Sequence, residues 1–157
     1  MKTLLFVCSG NYCRSPLAEG LARLRLEQAG YAGQIMAFSA GTLSAYEGQP
    51  RAPLIGEILR EVGATEQVRP PHQITPAEIE QAAVIFGVAQ EHVAWIAQHY
   101  PAATTRTSLL SELIGEQWDV ADPGVQELEP LRPCRDTIDR AITQGLPEMI
   151  RRALRAA

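Results

Sequence analysis

The sequence predicts an α/β fold with an open, mainly four-stranded parallel sheet and helices on both faces. Short apolar runs, typical of strands buried on both faces, alternate along the chain with segments whose apolar residues recur at helical spacing. Strands that alternate with helices are joined by crossover connections, which favour parallel pairing with helices on the two faces. The predicted strands cover residues 2–7, 33–39, 82–88 and 104–109.

Helix start and stop signals divide the rest of the chain. Gly30 and Gly63 follow segments of helical periodicity, where a glycine commonly ends a helix. Thr75 is a capping residue followed by Pro76 and Glu78, and this combination indicates a helix start. We therefore expect helices over residues 17–29, 54–62, 74–81, 90–100 and 133–155, the last interrupted at 145–147, and a helical turn over 110–114.

Length and composition limit the classes of protein to consider. The 157 residues are enough for one domain, which we expect to span residues 1–157. The net charge of -4 argues against a nucleic-acid binder, because no basic surplus is present to meet phosphates along a strand. No apolar run is long enough for a signal-peptide core or a membrane span. We expect a cytoplasmic protein and a monomer.

Three cysteines do not make the disulfide framework of a small secreted protein and fit reduced thiols instead. Cys13 lies five residues after Cys8, so two interpretations stay open for it. It either forms a reversible disulfide that protects Cys8 from over-oxidation or is a small side chain that packs the loop. Cys134 stands alone near the start of the last helix, and we expect it to be structural.

The segment from Cys8 to Pro16 joins the first strand to the first helix and carries the clearest chemical signal. Cys8 and Arg14 lie at the two ends of a loop whose backbone N–H groups can surround one anion, and the helix adds its positive end. A thiolate is a strong nucleophile, and such an environment favours the thiolate. The pattern predicts an anion-binding loop with a nucleophilic cysteine.

Each residue type in this loop has a physical reason to be there. Gly10 permits a close backbone approach or a positive φ, and Asn11 tolerates a left-handed conformation. Arg14 presents a planar fork of donors that matches two oxygens of a phosphoryl group. Ser15 can donate a hydrogen bond to the cysteine sulfur, and Pro16 fits the first turn of a helix.

The whole nine-residue run resembles the phosphate-binding loop of the low-molecular-weight protein tyrosine phosphatases. The resemblance implies a flavodoxin-like three-layer sandwich and a phosphomonoesterase that works through a phosphocysteine on Cys8, with Arg14 holding the phosphoryl group. It implies no metal and no cofactor, and a phosphorylated protein or small phosphomonoester as substrate. The implied phosphate-binding residues are Ser9, Gly10, Asn11, Tyr12, Cys13 and Arg14.

Two further stretches support the resemblance. The family carries a Ser-Ala-Gly-Thr run, which recurs here from Ser39 to Thr42, and its serine supports the phosphate loop through the asparagine, here Asn11. The segment 43–53 is rich in turn formers and should be a surface loop. In the family this loop overhangs the active site and carries an aromatic that lines the pocket. Tyr46 is the candidate here, either as a pocket wall or as a partly buried anchor.

One stretch departs from the family pattern. The family usually has a His-x-Ala-Arg-Gln-like run whose histidine joins the network behind the phosphate loop. Aligned on Gln73-Ile74-Thr75, Arg69 takes the place of that histidine and His72 takes the place of the arginine. The sequence therefore does not imply the same support behind Ser39. A lone loop histidine such as His72 is expected to be solvated.

The second sequence motif that indicates catalysis is the pair Asp122-Pro123. Transfer of a phosphoryl group to a thiolate expels an alkoxide or phenoxide that needs a proton, and hydrolysis of the thiophosphate then needs a base. The family uses the aspartate of an Asp-Pro pair at this distance toward the C-terminus, which implies that Asp122 is the general acid and base. A simple turn is the alternative, since Asp-Pro is a common turn pair. Asp119 is the second candidate for the general acid and base, but we expect it to be a turn or capping carboxylate.

The substrate is left open between several classes. The leading prediction is dephosphorylation of protein phosphotyrosine. The residue at the position of Tyr12 is often aliphatic in the tyrosine-specific enzymes and is threonine in the related protein arginine phosphatases. The Tyr12 ring could stack on a phenyl leaving group or narrow the site and exclude one, so a protein arginine phosphatase is the alternative. Many family members also have aromatics after the Asp-Pro pair, where this chain has Gly124-Val125-Gln126. A third hypothesis is therefore a relative that binds phosphate or phosphopeptides with weak or no turnover. An arsenate reductase is disfavoured, because no cysteine lies between Cys13 and Cys134.

Overall fold

Four parallel strands form one sheet in the order β2-β1-β3-β4. The structure is a computed structural model and describes residues 1–66, 69–124 and 126–156. The order changes direction at β1, so the carboxyl ends of β1 and β3 border the crevice where such sheets bind ligands. The predicted open parallel sheet is confirmed. The strands are β1 (Lys2–Cys8), β2 (Ile35–Gly41), β3 (Ala82–Gly87) and β4 (Thr107–Leu109).

The described residues also form six α-helices and two short 3-10 segments, of which the last two helices follow the final strand. The predicted capping box of Thr75 and Glu78 is present, and both Gly30 and Gly63 have positive φ just beyond the ends of their helices. The helices are α1 (Arg14–Gln28), α2 (Pro53–Arg60), α3 (Pro76–Gln81), α4 (Gln90–His99), α5 (Leu128–Gln144) and α6 (Leu146–Arg155), and the 3-10 segments are Pro101–Arg106 and Leu110–Ile114.

Alternate residues of β1 feed two apolar cores, one on each face of the sheet. Leu4 and Phe6 pack with α1, α2, α5 and α6 on one face. Leu5 and Val7 pack on the other face with residues of α3 and α4. This arrangement follows from the period of two in a strand and explains why β1 reads as a continuous apolar run. Helices therefore cover both faces, as predicted.

The second and fourth strands differ from the sequence prediction at their ends. β2 begins two residues later than predicted because the carbonyl of Tyr31 accepts hydrogen bonds from the N–H groups of Gln34 and Ile35 and closes a turn. It continues through Gly41 because that residue still pairs with Cys8. β4 begins only at Thr107, since the preceding residues form a 3-10 segment.

The last helical region also differs from its prediction. It starts at Leu128 rather than at Pro133, because Pro130 falls in the first turn, where a missing N–H costs nothing. Pro133 lies inside α5 and removes one backbone hydrogen bond without ending the helix. The predicted interruption is present at Gly145, where a Cβ would lie 2.6 Å from the Cβ of Leu113. Two helices therefore replace the single interrupted one.

Within the described ranges no helix combines the length and the apolar character that crossing a membrane requires.

The direction of β1 fixes where chemistry can occur. Its last residue is Cys8, and six residues later the chain enters α1 at Arg14, so the predicted loop lies at the carboxyl end of the sheet.

Candidate active site

The loop from Ser9 to Cys13 is held from outside through its carbonyl groups. The carbonyl of Cys8 accepts a hydrogen bond from the N–H of Thr42 at 2.9 Å, and that of Ser9 accepts from the N–H of Leu43 at 2.9 Å. Asn11 adopts the left-handed conformation, with φ of 53°, that its residue type tolerates. The chain thereby curls into a loop between β1 and the N-terminus of α1.

The Cys8 sulfur lies at the bottom of this loop beside a hydroxyl group. Cys8 is 3% exposed, and its Sγ lies 3.0 Å from the Oγ of Ser15. The Nδ2 of Asn11 donates to the same Oγ at 2.9 Å. Because that hydroxyl already accepts from Asn11, its own hydrogen is free to be donated to a Cys8 thiolate.

Ser39 is joined to the loop through Asn11, as the resemblance implied. The Nδ2 of Asn11 donates its second hydrogen bond to the Oγ of Ser39 at 3.0 Å, and both groups are buried. The Oδ1 of Asn11 accepts from the backbone N–H of His72 at 3.2 Å. Since a backbone group makes this contact, it does not require the histidine that the family carries at the place of Arg69.

The expectation of a solvated His72 is wrong. Its side chain is 14% exposed, and its Nε2 lies 2.6 Å from the Oε1 of Glu78. Arg69 contacts the same carboxylate oxygen at 2.6 Å. Burial alone would raise the pKa of Glu78, but hydrogen bonds from His72, the Thr75 N–H and Arg69 together lower it to about 2. The departure from the family pattern thus forms an ion-pair cluster next to the loop.

Sequence reasoning missed His92, which contacts the loop from the start of α4. Its Nδ1 accepts a hydrogen bond from the N–H of Ala89 at 3.1 Å, and its Nε2 lies 3.0 Å from the Oγ of Ser9. Burial, followed by the charge of Arg14, lowers the pKa of His92 to about 4. The ring is therefore neutral at pH 7, with its proton on Nε2 donated to Ser9. The available sequence signal was a histidine just after a buried strand.

Cys13 and Cys134 lie against each other, and all three cysteines are free thiols in the structure. The hydrogen bond with the Cys134 thiol, burial and nearby negative groups raise the pKa of Cys13. Cys13 is therefore a neutral thiol at pH 7, and it does not compete with Cys8 as a nucleophile. Cys134 is buried in the core between α1 and α5, in line with a structural role.

Arg14 begins α1 and is only 6% exposed. Its Nη1 donates to the carbonyl of Val120 at 2.9 Å. This bond fixes one arm of the guanidinium from the segment that leads to Asp122. The rest of the planar fork is available for the two oxygens of an anion held in the loop.

One cavity of about 220 Å³ brings the predicted residues together. Its walls include Cys8, Arg14 and Asp122, together with Tyr12 and Tyr46. The described residues that line it are Cys8, Ser9, Gly10, Tyr12, Cys13, Arg14, Leu43, Ala45, Tyr46, Asp122, Gly124 and Gln126. Asn11, Ser15 and Ser39 lie behind this lining as the buried network. Val125, in the stretch without the family's aromatics, lies outside the described residues.

The two aspartates of the 119–122 segment have different surroundings. Asp122 is exposed, and its Oδ1 accepts a hydrogen bond from the N–H of Gly124 at 3.0 Å, which forms a local turn. Asp119 accepts from the N–H of Gln90 at 2.8 Å and so caps the N-terminus of α4. Asp119 is thus a capping carboxylate, and Asp122 is the one that lines the cavity.

Tyr12 and Tyr46 form one aromatic wall of the cavity. Their ring centroids are 4.2 Å apart at an interplanar angle of 13°, which is a stacked pair. Tyr46 is 38% exposed. A Cβ on Gly10 would lie 2.7 Å from the Cδ2 of Tyr46, so the loop glycine permits the close approach of that ring.

Comparisons with known proteins agree with this geometry. The family model described as "Low molecular weight phosphotyrosine protein phosphatase" matches residues 3–156. The probable low molecular weight protein-tyrosine-phosphatase EpsP of Ralstonia nicotianae is 30% identical over 149 residues, which cover 95% of this chain and 97% of that protein. The protein-arginine-phosphatase of Geobacillus stearothermophilus is 31% identical over 140 residues, which cover 88% of this chain and 90% of that protein.

The fold is also found among solved structures. The crystal structure of a low molecular weight protein tyrosine phosphatase from T. tengcongensis has a TM-score of 0.86 and 26% identity, and the match covers 94% of this chain and 99% of that one. The family model matches nearly the whole chain, and the relatives match it over most of their own length. The chain therefore belongs to the low-molecular-weight phosphotyrosine protein phosphatase family.

Proposed function

We propose that the protein dephosphorylates phosphotyrosine in proteins, with Cys8 as the nucleophile, Arg14 as the phosphoryl-binding residue and Asp122 as the general acid and base. The observation that carries this proposal is that the thiol and the guanidinium of the phosphate loop and a carboxyl from a distant segment of the chain line one cavity. A nucleophile, an anion clamp and a proton donor are the three groups that this chemistry needs.

The first step transfers the phosphoryl group to sulfur. The Cys8 thiolate attacks phosphorus, the S–P bond forms, and the bond to the ester oxygen breaks. Asp122 gives its proton to that departing oxygen, so a neutral alcohol or phenol leaves. Arg14 and the loop N–H groups hold the three remaining phosphoryl oxygens while negative charge shifts among them.

The second step hydrolyses the phosphocysteine. Asp122, now a carboxylate, accepts a proton from a water molecule whose oxygen attacks phosphorus. The S–P bond breaks, and the thiolate returns to its contact with Ser15 at 3.0 Å. A bell-shaped dependence of activity on pH is expected, because the cycle needs Cys8 without its proton and Asp122 with it.

The stacked pair of Tyr12 and Tyr46 supports an aryl phosphate as substrate. The two rings lie 4.2 Å apart beside the cavity, and a phenyl leaving group can pack against such an aromatic wall. Tyr12 is thus a proposed pocket residue together with Tyr46.

The free thiols support the expected cytoplasmic location.

Phosphoarginine is the second candidate substrate. It is supported by the relative named protein-arginine-phosphatase, which is 31% identical and spans most of this chain. A guanidinium leaving group can also stack on an aromatic face. Release of phosphate from matched phosphotyrosine and phosphoarginine peptides, measured side by side, separates the two candidates by the ratio of kcat/KM values.

The test is hydrolysis of a small aryl phosphate in the presence of chelator and reductant. The unaltered protein, Cys8→Ser and Asp122→Asn are compared under the same conditions. Loss of turnover with Cys8→Ser and a rate at least about a hundredfold lower with Asp122→Asn would support the proposal. Turnover that persists in Cys8→Ser, or that requires an added divalent metal, would contradict it.

A further inference from the structure

Arg51 contacts the phosphate loop from the segment between β2 and α2. Its Nη1 donates a hydrogen bond to the backbone carbonyl of Asn11 at 2.9 Å. Arg51 is separated from Asn11 by 40 residues, and neither residue type nor spacing in the sequence indicated this contact. The bond reaches the loop at its left-handed residue, where φ is 53°.

The direction of this carbonyl determines the direction of the next N–H. A peptide unit is planar and trans, so its C=O and N–H point in opposite directions. The carbonyl of Asn11 faces Arg51, and the N–H of Tyr12 in the same peptide unit therefore points to the opposite side, away from Arg51. There it can donate to an anion.

The planarity of the peptide unit also determines the N–H direction in the Cys8–Ser9 and Ser9–Gly10 units. The carbonyls of Cys8 and Ser9 are held outward by the N–H groups of Thr42 and Leu43, each at 2.9 Å. Backbone donors thus orient the first part of the loop, and a side chain, Arg51, orients its middle. Of these three anchors, Arg51 is the one that a substitution can remove.

The stability of the fold does not explain the position of Arg51. Its Nε is buried and has no hydrogen-bond partner within residues 1–66, 69–124 and 126–156. An unpaired buried N–H lowers stability. Burial lowers the pKa of Arg51, and the negative groups Glu19, Glu66 and the Cys8 thiolate oppose that shift. Glu19 is itself buried, at 3% exposed; burial raises the pKa of its carboxyl, and the charges of Arg23 and Arg51 oppose that shift.

We infer that Arg51 is a positioning residue for phosphoryl binding: it pins the carbonyl of Asn11 outward so that the N–H of Tyr12 faces the anion. This inference rests on the proposed function, since it assigns Arg51 to the same anion site. Arg51 is not among the described residues that line the cavity, so we assign it to the orientation of the loop and not to direct contact with the anion.

The test measures the affinity for inorganic phosphate by titration calorimetry, which needs no turnover. Arg51→Met keeps the apolar stem of the side chain and removes the donor. Arg51→Lys keeps one donor that can reach the carbonyl. Arg23→Met is the matched control, because Arg23 also faces Glu19 and also donates to a carbonyl, that of Ala37, but does not touch the loop.

We expect Arg51→Met to bind phosphate about tenfold more weakly than the unaltered protein, Arg51→Lys within about threefold, and Arg23→Met without change. In turnover assays Arg51→Met should raise KM for the aryl phosphate and also lower kcat, because the N–H binds the substrate phosphoryl group and binds the transition state more strongly. A thermal melt of each variant shows that the folded protein is being measured.

Two results would overturn the inference: phosphate affinity of Arg51→Met within twofold of the unaltered protein, or Arg51→Lys binding as weakly as Arg51→Met, with both variants folded. The proposed function fails in a different way. If the unaltered protein binds phosphate but does not hydrolyse aryl or arginine phosphates, the Arg51 comparison still reports whether this side chain orients the loop.

Discussion

The phosphate loop and the Asp122 segment border the same cavity but are held in opposite ways. In the phosphate loop, Asn11 is fully buried and its side-chain groups bond to Ser15, Ser39 and the backbone of His72. Asp122 is exposed, and the one hydrogen bond that its side chain forms within the described residues comes from Gly124, two residues away.

The difference corresponds to the two proposed tasks, which are phosphoryl binding by the loop and proton transfer by Asp122. A phosphoryl group is bound through several N–H groups, and these must be fixed in advance for the binding to be strong. A residue that first donates a proton to the leaving group and later takes one from water must reach two positions. We therefore expect substitutions in the loop to change stability and rate together, and substitutions at Asp122 to change rate alone.

The largest expected effect is on the rate of Asp122→Asn. The asparagine can still accept the hydrogen bond from Gly124, so the free energy of unfolding should stay within about 0.5 kcal/mol. Without the proton, kcat for phenyl phosphate should fall about a hundredfold to a thousandfold. Asp119→Asn is the control on the same segment and should keep kcat within about threefold. Equal losses in the two variants would contradict the assignment.

The next largest effect is expected in the phosphate loop, where a substitution should lower both the stability and the rate. Asn11→Ala removes the buried hydrogen bonds and places a non-glycine residue without a suitable side chain at φ of 53°. The free energy of unfolding should fall by about 3 kcal/mol, and kcat/KM by about a hundredfold. Asn11→Gly removes the same bonds but tolerates the left-handed backbone, so it should be about 1 kcal/mol more stable than the alanine variant. Chemical unfolding and steady-state kinetics measure both.

A smaller effect is expected from His92, whose contribution to the stability of the folded protein depends on pH. The folded pKa is about 4, below the ordinary value near 6.5, so the unfolded chain binds the proton more tightly. Stability from this residue is therefore complete above pH 6.5 and is lost as pH falls toward 4, by up to about 3 kcal/mol. His92→Gln should show a weaker loss over this range, whereas His99→Gln, an exposed control, should keep the wild-type slope.

The smallest expected effect is that of Glu78→Gln. The folded pKa of Glu78 is about 2 and its ordinary value is near 4.5. Its contribution is therefore present above pH 4.5 and disappears as pH falls through 2, and at pH 7 the variant should lose about 1 to 2 kcal/mol. Glu80→Gln, on the exposed side of the same helix, should lose almost nothing. Thermal melts at pH 7 and pH 3 measure the difference, and a loss at pH 3 as large as at pH 7 would contradict the ion-pair account.

The contrast between local and distant contacts also explains what the sequence could predict. The turn at Asn11, the capping box at Thr75 and the glycine stops depend on neighbouring residues, and these predictions are confirmed. Arg51 and His92 act on residues 40 and 83 positions away, and no local pattern identifies such partners.

The errors have the same origin. His72 was expected to be solvated because its partner Glu78 becomes a neighbour only when α3 folds against the loop. The start of α5 was predicted at Pro133, five residues too late; the helix begins at Leu128, and Pro130 falls in its first turn, where a proline is tolerated. The roles of Cys8, Arg14 and Asp122 stay predictions until the chemistry is measured.

The most direct measurement is to trap the phosphocysteine. A nitrophenyl phosphate needs little help from an acid to leave, so Asp122→Asn should form the intermediate but hydrolyse it slowly. Acid quenching followed by mass spectrometry should then find one phosphoryl group on the peptide that contains Cys8, and none in Cys8→Ala. A phosphoryl group on another residue, or turnover by Cys8→Ala, would contradict the central claim that this loop works through a phosphocysteine.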